Sequence, residues 1–199
     1  MQSDYVFTLR SQRIELIHSQ LNLCDIDISP GEFITLEGEN GVGKSQFISY
    51  LKDINTGSFS FMDQFPLCPL IELSVDSLIN ELNLLKLSLN EFDSYLFDKL
   101  KISHLRKKIV ANLSGGEQQR LKLYLCLRNQ ASLYILDEPM SGVDKKFRSV
   151  FVELISKFLN LQKSFILVEH RSEDFSSFPV RTFKMQALDD RSLKLDHLR

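Results

Sequence analysis

No apolar run in the sequence approaches the roughly 20 residues that a bilayer-spanning helix needs; segments such as Ser164-Phe-Ile-Leu-Val168 stop after a few residues. Work at a membrane therefore requires recruitment by a partner. The N-terminus, Met1-Gln-Ser-Asp-Tyr5, has neither a basic n-region nor an apolar h-region, so no signal peptide is expected. An excess of one charge is also missing. With 24 Lys+Arg against 26 Asp+Glu the formal net charge is -2, which removes the bulk electrostatic case for direct nucleic-acid binding. Cysteine is scarce: Cys24, Cys68 and Cys126 are odd in number and lack metal-ligand spacing. They fit core positions in a reducing compartment rather than a disulfide framework. Internal repeats, low-complexity tracts and Pro/Gly-rich linkers are absent. What remains is 199 residues, 43% hydrophobic and 25% charged, the make-up of one globular domain over 1–199 with a proper core.

The patterning changes along the chain. From Tyr5 to Ile28 apolar and polar residues alternate, which predicts short strands in an antiparallel layer. Pro30-Gly31 is a turn signal, and Phe33-Ile-Thr-Leu-Glu37 reads as a buried strand. From Ser45 the period becomes helical, with Phe47, Ile48, Leu51 and Ile54 on one face and Gly57 as a stop. A small helical block is expected within about 66–113. Asp76 would cap a helix carrying Leu78, Ile79, Leu82 and Leu85, and Asn90 a second with Phe92, Tyr95 and Leu96. A helix after Ser114, a strand Leu133-Tyr-Ile-Leu136, an amphipathic helix through Phe147, Val150, Phe151, Leu154, Ile155 and Phe158, and a strand Ser164–Val168 complete the alternation. This order implies an α/β fold with a mostly parallel sheet. In the tail, Phe183-Lys-Met185 and Leu193-Lys-Leu195 flank Asp189-Asp190 and predict an edge hairpin.

Gly38-Glu39-Asn40-Gly41-Val42-Gly43-Lys44-Ser45 matches G-x-x-x-x-G-K-[ST] between a predicted strand and a predicted helix, the context a phosphate-binding loop requires. Glycines let the backbone approach a phosphate chain, and the exposed N–H groups with the helix N-terminus bind anions. Lys44 would reach the β- and γ-phosphates, and Ser45 would take a Mg²⁺ position. Leu133-Tyr-Ile-Leu-Asp137-Glu138 is a second apolar strand, ending in two carboxylates. Ligands sit at the C-terminal ends of parallel strands, so Asp137 falls near the metal end of the loop. Neighbouring residues of a strand point to opposite sides, giving the two acids different tasks: Asp137 in the metal shell, Glu138 on an attacking water.

Leu113-Ser-Gly-Gly-Glu117-Gln-Gln-Arg120 is the most informative stretch. Ser114-x-x-Glu117 is a capping box, which accounts for Ser and Glu but not for Gly115 and Gly116, which weaken a first helical turn. Together with the phosphate loop, Asp137-Glu138, Ser141-Gly-Val-Asp144 and His170, this stretch resembles the nucleotide-binding domain of an ABC-type ATPase, in order and spacing over nearly the whole chain. The resemblance implies a P-loop NTPase core with ATP and Mg²⁺ as ligands, an N-terminal antiparallel layer and an inserted helical subdomain. It further implies a head-to-tail homodimer or heterodimer, each ATP lying between Gly38–Ser45 of one copy and Ser114, Gly115, Gly116 and Glu117 of the other. Asp144 would communicate between the sites, His170 would touch the γ-phosphate, and Gln64 would join the metal and water shell. The implied partner is a separate transmembrane permease, and the implied location is the cytoplasmic face of the membrane.

Four departures from the family pattern stand out. Gln46 replaces the usual Thr after the loop serine, beside the α-phosphate. Glu117 replaces the commoner Gln, a variant also found in exporter-type members. No aromatic occupies the window before Pro30 where adenine normally stacks; Glu15-Leu-Ile-His18 lies there, leaving His18, Tyr5 or Phe7 as stacking alternatives. Gln64 follows Lys44 by only twenty residues, which implies a reduced antiparallel layer. The implied function is ATP hydrolysis driving transport through a membrane partner. The alternatives are a soluble ABC ATPase without a transport role, or a low-turnover regulatory nucleotide-binding subunit.

Overall fold

Strands buried on both faces of a parallel sheet are apolar at every position rather than alternating. Three runs have that character, and each is a strand in the computed structural model: Phe33–Glu37 (β5), Leu133–Asp137 (β7) and Ser164–Val168 (β8). The structure describes residues 5–54, 59–62, 72–84, 91–168, 175, 178–189 and 192–198. The N-terminal alternation forms four short strands, Phe7–Leu9 (β1), Arg13–Glu15 (β2), Gln20–Leu23 (β3) and Ile26–Ile28 (β4). β1 pairs with β4 and β2 with β3, both antiparallel as expected. Phe59–Met62 (β6), Val180–Ala187 (β9) and Ser192–Leu198 (β10) complete the strands.

An eight-stranded sheet runs in the order β2-β3-β10-β9-β5-β8-β7-β6, and its half from β9 to β6 is parallel throughout. Alternate residues of the central strands feed two cores. Phe33, Tyr134, Leu136, Phe165 and Leu167 join one; Ile34, Leu36, Leu133, Ile135, Ile166 and Val168 join the other. The first core is closed by helices Val75–Leu84 (α2), Glu91–Lys99 (α3), Gly115–Leu127 (α4) and Lys145–Asn160 (α5). The second is closed by Lys44–Asp53 (α1) and the antiparallel strands. The α5 stripe Phe147, Phe151, Leu154, Ile155 and Phe158 is buried as its period predicts, with the Phe158 ring edge-on to Tyr134 at 5.3 Å.

Several local expectations need correction. The C-terminal hairpin forms, with β9 and β10 antiparallel, but it is not at an edge: β9 pairs with β5 and β10 with β3 in the middle of the sheet. The cap of α2 is Ser74, whose hydroxyl accepts the Ser77 N–H at 3.0 Å, not Asp76, which lies in the first turn. Ile54 is the C-cap of α1 rather than part of its buried face and is 37% exposed. Cys126 is buried, whereas Cys24 is only half-buried. Gly57, Cys68 and Asn90, and the side chains of Leu82, Leu85 and Phe92, lie outside the described residues.

Helix α4 is bolted at both ends. At its start the Ser114 hydroxyl accepts the Glu117 N–H, and the Glu117 carboxylate accepts the Ser114 N–H at 2.8 Å. Lys108 donates to the same carboxylate at 2.8 Å. Chiefly through Lys108, and then the Ser114 N–H, the Glu117 carboxyl is held down at about 2. At the other end Arg128 and Asp93 of α3 form a buried ion pair at 3.4 Å, with side chains 1% and 5% exposed. The Tyr124 hydroxyl donates to the same Asp93 at 3.3 Å, and burial pushes that phenol up to about 12.

Removing one partner of such a pair leaves a charge in a dry site. Arg128→Ala is expected to lower the unfolding free energy by about 3–5 kcal/mol, read from urea denaturation, and the double replacement Asp93→Leu with Arg128→Met to recover most of the loss. The Glu117 contribution is present above the ordinary carboxylate value of 4.5 and lost as the pH falls toward about 2. Unfolding midpoints followed through that acidic range should therefore fall more steeply for the native chain than for Glu117→Gln.

Candidate functional site

The loop between β5 and α1 has its shape dictated by its glycines. Gly43, the N-cap of α1, has φ 104°, and a Cβ there would come within 2.9 Å of Leu193 Cδ1. A Cβ on Gly38 would meet the Met185 carbonyl oxygen at 2.7 Å. The hairpin β9–β10 thus presses against the loop, and only glycine fits. Glu39, Asn40 and Gly41 form its exposed tip, closed by a Val42 N–H to Glu39 carbonyl bond of 3.3 Å. The Lys44 ammonium donates to the Gly38 and Glu39 carbonyls at 2.7 and 2.9 Å, which holds this long side chain inside its own loop. Gln46, one residue beyond Ser45, is half-buried; its Oε1 is buried without a hydrogen-bond partner among the described residues.

Asp137 ends β7 and is 5% exposed. Ser45 donates its hydroxyl to Asp137 Oδ2 at 3.2 Å, so the loop serine and the strand-end carboxylate meet although β8 lies between their strands. Glu138 follows with φ 48°, a left-handed conformation that costs a side-chain-bearing residue about 1–2 kcal/mol. Among the described residues three hydrogen bonds hold its backbone groups. Its N–H donates to the Val168 carbonyl at 2.8 Å, and its own carbonyl accepts the Ser141 N–H at 3.1 Å. The same carbonyl accepts the side-chain amide of Gln119 in α4 at 2.8 Å.

Helix α4 reaches this turn a second time. Arg120 donates to Asp144 at 3.3 Å and lies over the Phe147 ring, while Asp144 caps α5 by accepting the Phe147 N–H at 2.7 Å. A Cβ added to Gly116 would lie 3.7 Å from the Gly142 carbonyl, an ordinary contact, and one on Gly115 would meet nothing within 4 Å among the described residues. Unlike Gly38 and Gly43, this pair is not required by packing among the described residues.

The structure thus brings Ser45 of the loop against Asp137, with Glu138 next in the chain, and Gly116 close to Gly142 in the turn that leads to Asp144. Gln64 and His170 lie outside the described residues. Sequence reasoning missed Gln119 and Arg120 as tethers, because a Gln or Arg in a helix carries no local mark of a distant partner. Of the stacking alternatives, Phe7 is committed elsewhere, edge-on to Phe59 at 5.3 Å. Tyr5 and His18 are exposed, and the residue of that window facing the loop is Leu16, whose Cδ1 would lie 3.9 Å from a Cβ on Gly43. A cleft of about 540 Å³ flanks the loop, with Glu37, Glu39, Val42, Lys184 and Gln186 among its lining; among the described residues no aromatic lines it.

The oxygens of Ser45 and Asp137 are the hard donors that Mg²⁺ prefers, and Mg²⁺ characteristically takes only one or two carboxylates from a protein beside phosphate and water. The donor set fits that ion. Among the described residues no larger cluster of His, Cys, Asp or Glu is arranged as a metal site, and no helix is long and apolar enough to cross a membrane.

Comparison with known proteins agrees with this geometry. Residues 72–141 match the family model described as "ABC transporter". The chain is 30% identical over 154 residues to ABC transporter E family member 3 of Arabidopsis thaliana, spanning 70% of this chain and 85% of that one. It is also 30% identical over 165 residues to the zinc import ATP-binding protein ZnuC of Psychrobacter arcticus, spanning 75% and 67% respectively. Among solved structures, the archaeal ribosome recycling factor aABCE1, in complex with the ribosomal stalk protein aP1, superposes with a TM-score of 0.80 at 23% identity. That superposition covers 98% of this chain but 40% of the other, so the chain spans well under half the length of that protein. The relationship across most of the Arabidopsis protein, added to the loop, strand ends and helix start described above, makes this chain a member of the ABC ATPase family, with its ATP-binding domain.

Proposed function

We propose that the chain is the ATP-hydrolysing subunit of an ABC transporter, acting as a head-to-tail homodimer or heterodimer on the cytoplasmic face of a membrane and driving substrate movement through a separate transmembrane permease. The observation that carries the dimeric reading is the contrast between the two glycine groups. Gly38 and Gly43 are demanded by contacts with β9 and β10, whereas among the described residues a Cβ on Gly115 would meet nothing within 4 Å and one on Gly116 would make only an ordinary contact. Glycine at two positions of a first helical turn costs roughly 0.5–1 kcal/mol each against alanine. Their use fits a ligand approaching the α4 N-terminus from outside the protomer, as the triphosphate held by a second copy would.

In this reading Lys44, the loop amides from Glu39 to Ser45 and the α1 N-terminus neutralise the phosphate charge. Gln46 lies beside the α-phosphate. Ser45 and Asp137, with Gln64, hold Mg²⁺, which when bound supplies further charge neutralisation on the phosphate oxygens. Glu138 aligns the attacking water and takes its proton, and His170 contacts the γ-phosphate. Ser114, the Gly115 and Gly116 amides and Glu117 complete the cage across the interface, with Asp144 beside it. Those contacts exist only when two copies close, so a nucleotide triphosphate favours the closed state and its hydrolysis releases it.

The similarity to a zinc-import ATP-binding protein over 75% of the chain supports the transport role. A second reading, a soluble ABC ATPase without a transport role, is favoured by the superposition on a ribosome recycling factor over nearly the whole chain. The proteins that purify with the native chain separate the two: an integral membrane protein is expected, and ribosomal proteins in its place would establish the second reading.

Glu138→Gln should lower phosphate release by at least about a hundredfold while ATP converts monomers into dimers on size-exclusion chromatography. Near-native phosphate release by this variant would remove Glu138 from the role assigned to it.

A further inference from the structure

Glu138 is unusual for a group assigned to water activation because its own backbone sits in a conformation that its side chain disfavours. Such a conformation persists only where neighbours over-determine it, and here the neighbours are of two kinds. The Val168 and Ser141 bonds are backbone contacts of the parallel sheet and of the turn itself. The third comes from a side chain on another element, the Gln119 amide in α4, itself only 8% exposed. Gln119 stands two residues beyond Glu117 in the helix whose N-terminus carries Ser114, Gly115 and Gly116. The next residue, Arg120, holds Asp144 farther along the same turn.

We propose that Gln119 is a positioning residue for hydrolysis: its amide fixes the Glu138 carbonyl, and so the direction of the Glu138 side chain, and makes that direction depend on where α4 lies. The proposal rests on the reading of Glu138 as the group that aligns water. A displacement of the α4 N-terminus, where a nucleotide held by the second copy would press, is carried by one short side chain to the carboxylate of the same protomer. The phosphate loop of the same protomer does not depend on this bond, since Lys44 and Ser45 are held by their own loop and by Asp137. Gln119 therefore acts on turnover and not on affinity.

The test is Gln119→Met, which keeps the length and packing of the side chain and deletes the donor, made in the full chain both alone and together with Glu138→Gln. Alone, it should lower kcat for phosphate release at least tenfold, with KM for ATP and the binding of a fluorescent ATP analogue within twofold of the native chain and the thermal midpoint little changed. In the Glu138→Gln background the same substitution should change the residual rate less than twofold, because the group it positions is already gone. Equal losses in both backgrounds, a loss confined to KM, or no loss at all would overturn the proposal. Gln119→Glu, isosteric but unable to donate when ionised, should behave like Gln119→Met; full activity in that variant would also overturn it. Near-native turnover by Glu138→Gln alone is a different failure, one that removes the assigned role of Glu138 itself.

Discussion

The register of three strands at Val168 is the constraint on which the site depends. Val168 of β8 lies level with Leu36 of β5 on one side and with Asp137 of β7 on the other. β7 therefore ends in that row and β5 one residue beyond it, and the elements that follow them emerge side by side. Without that row the Ser45 hydroxyl could not reach across β8 to Asp137. The Val168 carbonyl also receives the Glu138 N–H, so one residue of the middle strand sets both the level of the Asp137 carboxylate and the start of the turn beyond it. Slippage is blocked by burial. A shift of one residue would send Ile166 and Val168 to the helix-rich core and Phe165 and Leu167 to the other, replacing a ring by a β-branched chain in the first and the reverse in the second.

Helix α4 adds a second layer of control. Its N-terminus is capped by its own side chains and tied to Lys108, its C-terminal end is closed by the buried pair with α3, and between them Gln119 and Arg120 hold the turn after β7. These polar residues therefore do not form a solvated face. They are spent on several neighbouring elements, and the helix has no clean apolar stripe, unlike α5, whose buried residues follow the helical period closely. A helix arranged in this way moves with several elements or not at all.

Much of this was legible in the residues. β5 and β8 have the bounds that their apolar runs predict, and Ser114 is the cap that the capping-box pattern names, because in both cases the deciding interactions are local. Strand partners are not local. The tail looks like an edge hairpin because nothing within it signals that β10 finds β3 and β9 finds β5, segments from the opposite end of the chain. The cap at Ser74 was hidden by Asp76, an equally good cap residue two positions on, and only the bond to the Ser77 N–H separates them. Glu138 hides its backbone for a further reason. A left-handed residue advertises itself as Gly or Asn when the chain is free to choose, and a glutamate gives no such sign.

That conflict between local preference and imposed conformation is informative in itself. Glycine at position 138 would relieve the backbone at no steric cost, yet it would remove the carboxylate; the chain keeps the carboxylate and holds the backbone with three hydrogen bonds instead. The opposite bargain appears at Gly115 and Gly116, where side chains would fit within the protomer and helix propensity would favour them. One position carries a side chain its backbone resists, and two others lack side chains their backbone would welcome. All three lie on or beside α4, and packing among the described residues explains neither the two glycines nor the side chain kept at 138. On the proposed dimeric reading, residues of this kind beside one helix are what a site completed by a second molecule would leave on each of its halves.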